Sequence, residues 1–151
     1  MKPTPSGWLR FTSAVVYRDA AKAIDWLCDA FGFEVRLKVE GENGRIEHCE
    51  LGYGEGLLMV AQEDPKSERK WKRALRSPRS LEDANTQSIM FFVDDADAHC
   101  THARACGARI VEEPTSHDYG VDHFADRSYG ALDPEGHMWW ITQRVRNPPT
   151  R

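Results

Sequence analysis

The fold of this chain is decided by the stretch Asp126-Arg-Ser-Tyr-Gly-Ala-Leu-Asp-Pro-Glu-Gly-His-Met-Trp-Trp-Ile-Thr-Gln143. Its two flanks are rich in the aromatic and branched residues that strands prefer, and a tight turn is indicated by Asp133-Pro-Glu-Gly136 between them. Pro134 presets φ at the second turn position, and Gly136 allows a positive φ where the chain reverses. The stretch therefore predicts a β-hairpin. Because an isolated hairpin is only marginally stable in water, the rest of the chain must supply the surface on which it packs.

Length and composition indicate one compact globular domain, or two small halves that share a core. The chain has 151 residues, of which 40% are hydrophobic and 29% charged, and its net charge is −4. This acidic balance argues against nucleic acid as a partner, and no apolar run approaches the roughly 20 residues of a membrane helix. The N-terminal Met-Lys-Pro-Thr-Pro-Ser-Gly-Trp has no apolar segment of secretory type. Since the four cysteines form no Cys-x-x-Cys pair, we expect a cytoplasmic protein with reduced, buried thiols.

The chain repeats one plan twice. The first half is predicted to contain a strand, a helix and three further strands, and the second half repeats this order up to the closing hairpin. In both halves an aspartate caps the helix, a glycine ends it, and another glycine precedes the last strand. The matched positions are Asp19 with Asp95, Gly32 with Gly107, and Gly56 with Gly136. A repeat of this length predicts two β-α-β-β-β units within a single domain 1–151. We expect unit one at about residues 10–63, a linker at about 64–87 and unit two at about 88–144.

Two segments between the predicted strands carry distinctive side chains. Residues 63–87 gather Lys and Arg around Trp71; we interpret them as a solvated linker with a short helical turn, with a docking surface for a protein partner as the alternative. Later, a strand at 109–113 is expected to break at Pro114. Residues 115–125 are then expected to form a solvated, mobile loop. The alternatives are a loop that acts as a lid and one that binds a metal through its two histidines, His117 and His123.

Four motifs also occur in a characteristic order along the chain. They are Arg18-Asp-Ala-Ala-Lys-Ala-Ile-Asp-Trp-Leu-Cys-Asp-Ala-Phe-Gly-Phe33, then His48-Cys-Glu-Leu51 with Leu57-Leu-Met-Val60, then Phe91-Phe-Val-Asp-Asp-Ala-Asp-Ala98, and finally Arg127-Ser-Tyr-Gly-Ala-Leu-Asp-Pro-Glu-Gly-His-Met-Trp139. In this order they resemble the glyoxalase / bleomycin resistance / dioxygenase (vicinal oxygen chelate) superfamily, and within it the PhnB-like branch. The resemblance implies an α+β fold in which the two tandem units form a curved mixed sheet around a cavity. It also implies a small-molecule ligand and a homodimer.

The resemblance further implies where a metal would be bound. Metal-dependent members hold a divalent ion with His, Glu or Gln side chains from the first and last strands of their units. The corresponding positions here are Thr12, Ser88, Val60 and Trp140. Val60 and Trp140 offer no lone pair to a metal, and a neutral hydroxyl alone binds a divalent ion poorly. We therefore expect no metal at these positions and no cofactor, which argues against glyoxalase I or ring-cleaving dioxygenase chemistry.

Strand alternation gives the candidate site residues. Met138 and Trp140 share one face of the closing strand, and the resemblance places Trp140 toward the cavity. On the strand at 46–51, Cys49 and Leu51 suit packing under helices. His48 and Glu50 then face the cavity as a catalytic acid–base pair, or else pair with each other or with a neighbouring arginine. The remaining ligand-binding candidates are Tyr119, Phe124 and Arg127, and Arg127 is expected to form an ion pair with Asp126.

Three functions remain open at this point. The first is a metal-independent binding protein of the bleomycin resistance type, which sequesters a small aromatic or polar molecule on aromatic side chains. The second is a lyase or isomerase that uses His48 and Glu50 or an atypical metal site. The third is a regulatory module that docks a partner through Trp71 and its basic neighbours. The first two are favoured over the third.

Overall fold

The computed structural model of the protein describes residues 1–149, which form eight strands and three α-helices. In chain order the elements are β1 (Ser13–Tyr17), α1 (Ala20–Trp26), β2 (Glu34–Glu40), β3 (Ile46–Tyr53), β4 (Gly56–Gln62), α2 (Lys70–Ala74), β5 (Ser88–Phe92), α3 (Ala96–Ala105), β6 (Arg109–Asp118), β7 (Ala125–Leu132) and β8 (Met138–Arg146). None of the helices within residues 1–149 combines the length and the apolar character that crossing a membrane requires.

The chain divides into two compact units, the first from Met1 to Glu82 and the second from Asp83 onward. The first contains a sheet of order β1-β4-β3-β2, and the second contains a sheet of order β5-β8-β7-β6. In each sheet the first two strands of this order run parallel and the others antiparallel. The predicted α+β class with two tandem β-α-β-β-β units is therefore confirmed, and each unit has its own four-stranded mixed sheet.

The two main helices begin and end at the residues that the repeat predicted. The N–H of Lys22 donates to the side chain of Asp19 at 3.3 Å, and the N–H of Ala98 donates to that of Asp95 at 2.9 Å. The first helix continues beyond Trp26 as a single π-helical turn and stops at Gly32, whose φ is +82°. The αL conformation at that position suits glycine because it has no Cβ to clash with the backbone.

One face of each sheet is covered by its helix, and the core lies between them. Helix α1 packs on β1, β3 and β4, and α3 packs on β6, β7 and β8. The sheet residues turned to the helices are fully buried, and they include Val15, Cys49, Leu51, Val60, Tyr129, Trp139 and Ile141. All four cysteines are free thiols, and burial raises the pKa of the Cys49 thiol to about 11. Cys49 is thus a packing residue and not a reactive one.

The opposite face of each sheet is not covered by a helix of its own unit. Because side chains alternate along a strand, this face is formed by the residues between those that contact the helix. We call the surface with Leu37, Val39, His48, Glu50 and Met59 the first open face. We call the surface with Met90, Phe92, Met138, Trp140 and Arg144 the second open face.

The closing hairpin is organised by the buried carboxylate of Asp133. The N–H of Gly136 donates to the Asp133 carbonyl at 3.0 Å, and Gly136 has a φ of +93°, as the turn prediction requires. Asp133 Oδ1 accepts from the N–H groups of Glu135 and His137 at 3.0 and 3.1 Å, and its Oδ2 accepts from Trp139 Nε1 at 3.1 Å. The same side chain therefore fixes the turn and the indole that enters the core.

Two boundaries differ from the sequence predictions. Strand β6 does not break at Pro114 but runs from Arg109 to Asp118, with register irregularities around Glu112. It is the edge strand of its sheet, where a proline can be tolerated because one side of the strand has no partner. The expected loop at 115–125 is therefore wrong in its first half, and the connection between β6 and β7 is limited to residues 119–124.

The segment after β4 is held by a buried glutamate. Glu63, 8% exposed, accepts hydrogen bonds from the Ser77 N–H at 3.0 Å and the Ser80 hydroxyl at 2.9 Å, and pairs with Arg76 Nε at 3.2 Å. Burial alone would raise the pKa of Glu63, but these partners outweigh it and lower the pKa below the ordinary value. The expected short helical turn is α2, whose Trp71 is 62% exposed.

Candidate functional site

The first open face carries a histidine–carboxylate pair in apolar surroundings. His48 and Glu50 lie two residues apart on β3, and His48 Nε2 is 2.8 Å from Glu50 Oε1. The side chain of Glu50 is 3% exposed and that of His48 is 40% exposed. Leu37 and Met59 flank Glu50 on the neighbouring strands. The side chains thus point as the alternation of β3 predicted, and they contact each other.

Such a pair can hold or move a proton. A carboxylate that is hydrogen-bonded to an imidazole fixes the orientation of the ring, and the exposed ring can then exchange a proton with a ligand. The same contact also satisfies a buried carboxylate that would otherwise lack a partner on this face. The geometry therefore fits both an acid–base pair and an ion pair that stabilises the sheet.

The second open face carries an aromatic platform. Trp140 on β8 lies between Met90 of β5 and Gly130 of β7. A Cβ atom on Gly130 would lie 2.9 Å from Met138 Cε and 3.2 Å from Trp140 Cζ3. The glycine therefore leaves the space into which these two side chains extend. Met90 is 53% exposed, so the platform is accessible on the β5 side.

One end of this face is an arginine between two aromatic rings. The guanidinium carbon of Arg144 lies 5.2 Å from the ring centre of Phe92 and 4.5 Å from that of Phe124. Arg144 Nε donates to Asp126 Oδ1. Phe124 in turn contacts Tyr119, with ring centres 4.7 Å apart. The two aromatic candidates from the predicted loop therefore belong to this cluster, and the arginine is fixed by cation–π contacts as well as by its ion pair.

The structure places Arg127 on the other side of the sheet. Its Nη2 donates to Asp97 Oδ1 at 2.7 Å and its Nη1 to Ser116 Oγ at 3.2 Å, and Asp97 belongs to helix α3. The hydrogen bond from Arg127 also lowers the pKa of Asp97. The expected ion pair between Asp126 and Arg127 is wrong, because neighbouring residues on a strand point to opposite faces. Asp126 pairs with Arg144 instead.

Three residues of the second open face were not predicted from the sequence: Met90, Phe92 and Arg144. Alternation from Trp140 along β8 marks Arg144 as a residue of the same face, so a signal for it was present. Met90 and Phe92 could be assigned only through the parallel pairing of β5 with β8, which aligns them with Trp140 and Thr142. Pairing between distant segments is not visible in local periodicity.

The residues at the metal positions of the superfamily do not fit a divalent ion. Val60, which the resemblance placed at a metal position, is fully buried on the helix-covered face, and the neighbouring Met59 lies on the first open face instead. A thioether and an indole are poor ligands for such an ion. Within residues 1–149, no three His, Cys, Asp or Glu side chains are grouped so that they could hold a metal, which includes the region around His117 and His123.

The register error at Val60 has a structural cause. Matching Gly56 to Gly136 assumed that the two hairpins have turns of equal length. Gly56 is the first residue of β4 and pairs with Tyr53, whereas Gly136 lies within the turn before β8. The second turn is longer, so the glycines are not equivalent. The strand pairing matches Met59, opposite Ala14, with Trp140, opposite Met90.

Comparison with known proteins gives one consistent result. Residues 10–141 match the sequence model of the Glyoxalase/Bleomycin resistance protein/Dioxygenase superfamily. The uncharacterised protein Mb0911c of Mycobacterium bovis is 30% identical over 132 residues, which cover 87% of this chain and 81% of that protein. The crystal structure of TioX from Micromonospora sp. ML1 is similar with a TM-score of 0.66 and 27% identity, over 91% of this chain and 100% of TioX.

A second solved structure shares the fold. It is a glyoxalase/bleomycin resistance protein/dioxygenase family enzyme from Burkholderia phytofirmans PsJN, with a TM-score of 0.65 over 89% of this chain and 97% of that one. Its sequence identity is 16%, so this likeness concerns the fold alone. Neither the matching family description nor these relatives distinguish the PhnB-like branch, which stays a prediction.

Proposed function

The chain belongs to the glyoxalase/bleomycin resistance protein/dioxygenase superfamily, and we propose that it is a metal-independent member that binds a small planar organic molecule. The observation that carries this proposal is the platform of Trp140 over Gly130 on the second open face. The molecule would be held without turnover, as in sequestration of an antibiotic.

The exposed apolar side chains of this face support binding of a flat ligand. Met90 is 53% and Phe92 46% exposed, although both are large and apolar. A contiguous apolar surface of this kind commonly marks an interaction site. A planar ligand stacked on an aromatic side chain such as Trp140 gains about 0.5–1.5 kcal/mol beyond the burial of its area. Of the predicted ligand-binding residues, the proposed surface includes Trp140, Met138, Tyr119 and Phe124, and it excludes Arg127 because of its position.

Metal independence is supported by the chemistry of the side chains. The superfamily's metal positions correspond here to Thr12, Ser88, Met59 and Trp140, which lack the carboxylate and imidazole groups that bind divalent ions in oxygen and nitrogen sites. Metal analysis of protein purified without chelator tests this part of the proposal. A stoichiometric divalent ion would contradict it.

Tryptophan fluorescence tests the binding itself. Planar antibiotics and other polycyclic aromatic compounds are titrated into the protein, and dissociation constants are obtained from the quenching. We expect Trp140→Ala to weaken binding by tenfold or more, since the platform is lost, whereas Trp8→Ala removes a tryptophan that is 39% exposed and should leave affinity unchanged. Equal affinity in the Trp140→Ala variant and the wild type would count against the proposal.

A second candidate function is favoured by the His48–Glu50 pair. A buried carboxylate 2.8 Å from a partly exposed imidazole is a suitable acid–base pair for a lyase or isomerase. The test is turnover of small polar substrates by the wild type and by His48→Ala, with His102→Ala on helix α3 as the control. Turnover that survives His48→Ala would exclude this pair as the catalyst.

We also propose that the protein acts in the cytoplasm as a homodimer, with residues 64–87 as a linker between the units. Its free thiols suit a reducing compartment. The exposed apolar residues Leu37 and Val39, which share the first open face on β2, offer a surface for self-association. Light scattering on the purified protein tests this, and a monomer at all concentrations would contradict the dimer.

A further inference from the structure

We propose that Arg144 binds a carboxylate of the planar ligand, so that the second open face selects anionic aromatic molecules. This inference rests on the proposed binding function and adds the chemical class of the ligand. It starts from the hydrogen bonds of the guanidinium. Arg144 Nε donates to Asp126, and within residues 1–149 neither Nη1 nor Nη2 donates to any protein acceptor. Two donor groups of a partly exposed arginine are therefore available.

The guanidinium is held in place before a ligand arrives. Phe92 and Phe124 pack against it at 5.2 and 4.5 Å, and the carboxylate of Asp126, which is 14% exposed, orients its Nε side. An arginine normally loses much rotational freedom when it binds an anion. Here the packing has already restricted the guanidinium, so less rotational freedom is lost on binding, and an acceptor that bonds the two free Nη groups binds more tightly.

Other arginines of the same unit differ in this respect. Arg104 directs its Nη2 at Glu113, at 2.9 and 2.7 Å from the two carboxylate oxygens. Arg146 donates through Nη1 and Nη2 to Asp118 and to the Gly120 carbonyl. In Arg146 both Nη groups serve protein acceptors, and in Arg104 Nη2 serves both oxygens of one carboxylate. Arg144 therefore combines a fixed guanidinium with free Nη donors.

The free donors define the chemistry of the ligand. An arginine has only donors, arranged as a planar fork that matches the two oxygens of a carboxylate. A cationic group would find no acceptor on Arg144 itself. Because Asp126 neutralises the net charge, recognition depends on hydrogen-bond geometry more than on long-range attraction.

Position along the strand sets the shape of the ligand. Trp140 and Arg144 lie on the same face of β8, four residues apart, which corresponds to about 13 Å between their Cα atoms. Thr142 lies between them and is opposite Phe92. A ring system stacked at Trp140 therefore needs a carboxylate on an extended arm to reach Arg144.

The test compares two probes that differ only in the end group, pyrenebutanoate and pyrenebutanol. Binding is measured by sensitised pyrene emission on excitation of tryptophan. We expect the wild type to bind the carboxylate about tenfold more tightly than the alcohol, since a charge-assisted hydrogen bond is stronger than a neutral one. In Arg144→Gln the ratio of the two dissociation constants should fall to about one, whereas Arg104→Gln should keep the wild-type ratio.

The possible outcomes separate the inference from the proposed function. If both probes bind the wild type equally and Trp140→Ala weakens both, the platform stands and the role of Arg144 is refuted. A preference for the carboxylate that persists in Arg144→Gln refutes it as well. If neither probe binds, both the platform and the carboxylate site are refuted. Arg144→Lys retains the positive charge without the planar guanidinium and should show a reduced preference for the carboxylate probe. This variant provides a second test if Arg144→Gln fails to fold.

Discussion

Replacing Asp133 with alanine is expected to lower the free energy of unfolding by about 3–5 kcal/mol. The carboxylate is 5% exposed and accepts three hydrogen bonds, from the N–H groups of Glu135 and His137 and from Trp139 Nε1. Each buried donor left without an acceptor costs about 1–3 kcal/mol. Trp139 is fully buried, so its indole N–H has no access to water, whereas Glu135 and His137 keep a small exposure of 6% and 7%. The expected loss of stability therefore lies toward the lower end of the summed cost of the three donors.

Guanidinium chloride unfolding, followed by near-ultraviolet circular dichroism, measures this loss as a lower midpoint at an unchanged slope. Asp133→Asn keeps one acceptor oxygen. If that oxygen faces the backbone N–H groups of the turn, the side-chain NH2 group faces Trp139 Nε1, which is also a donor, so we expect an intermediate loss of stability. In the Trp139→Phe background, which has no indole N–H, the Asp133→Asn change should be milder. Asp122→Ala, at an exposed loop position, should stay within about 0.5 kcal/mol of the wild type. A loss below about 1 kcal/mol for Asp133→Ala would refute the role given to this carboxylate.

Three further predictions concern charge and space. The pKa of Glu63 in the fold lies below the ordinary 4.5, so its ionised form stabilises the fold above pH 4.5, and this stabilisation is lost as the pH falls through the folded pKa. Glu63→Gln should therefore be less stable than the wild type at neutral pH. In urea unfolding, the variant should also lose less stability than the wild type on acidification. Gly130→Ala should lower the free energy of unfolding by about 1–3 kcal/mol, since the added Cβ would lie 3.2 Å from both Glu112 Cβ and Trp140 Cζ3. It should also weaken ligand binding in the fluorescence titration by displacing Trp140. Hydrogen bonds from Arg146 and from the Gly120 N–H hold the pKa of Asp118 at about 2, so Arg146→Gln should raise it in a carboxyl NMR titration, and an unchanged pKa would contradict the pairing.

The fold was largely predictable from local signals. Asp19 and Asp95 cap their helices through side-chain hydrogen bonds, and Gly32 and Gly136 adopt the positive φ that their positions require. These signals lie within a few residues of the structure that they specify, so a sequence is enough to find them. Hydrophobic alternation likewise identified which side of β3 faces the helix.

What failed depended on contacts between distant segments. Strand β6 passes Pro114 because it is an edge strand, and its place in the sheet is a property of the topology. The register of Val60 was misjudged because two turns of unequal length look alike when only their glycines are matched. A shift of one residue moves a side chain to the other face of a sheet, so the error exchanged a buried valine for an accessible methionine.

The two units have diverged at corresponding positions. Glu50 faces Met59 in the first sheet where Gly130 faces Trp140 in the second. In the first sheet, Glu50 places a buried carboxylate beside the imidazole of His48. In the second sheet, Gly130 has no side chain and so leaves room for the indole of Trp140. The proposed acid–base pair and the proposed stacking platform therefore lie on different sheets, and the two proposals can be separated by mutation. A sequestering protein should lose affinity with Trp140→Ala and be insensitive to His48→Ala, whereas an enzyme that uses the His48–Glu50 pair should lose turnover with His48→Ala while still binding its ligand.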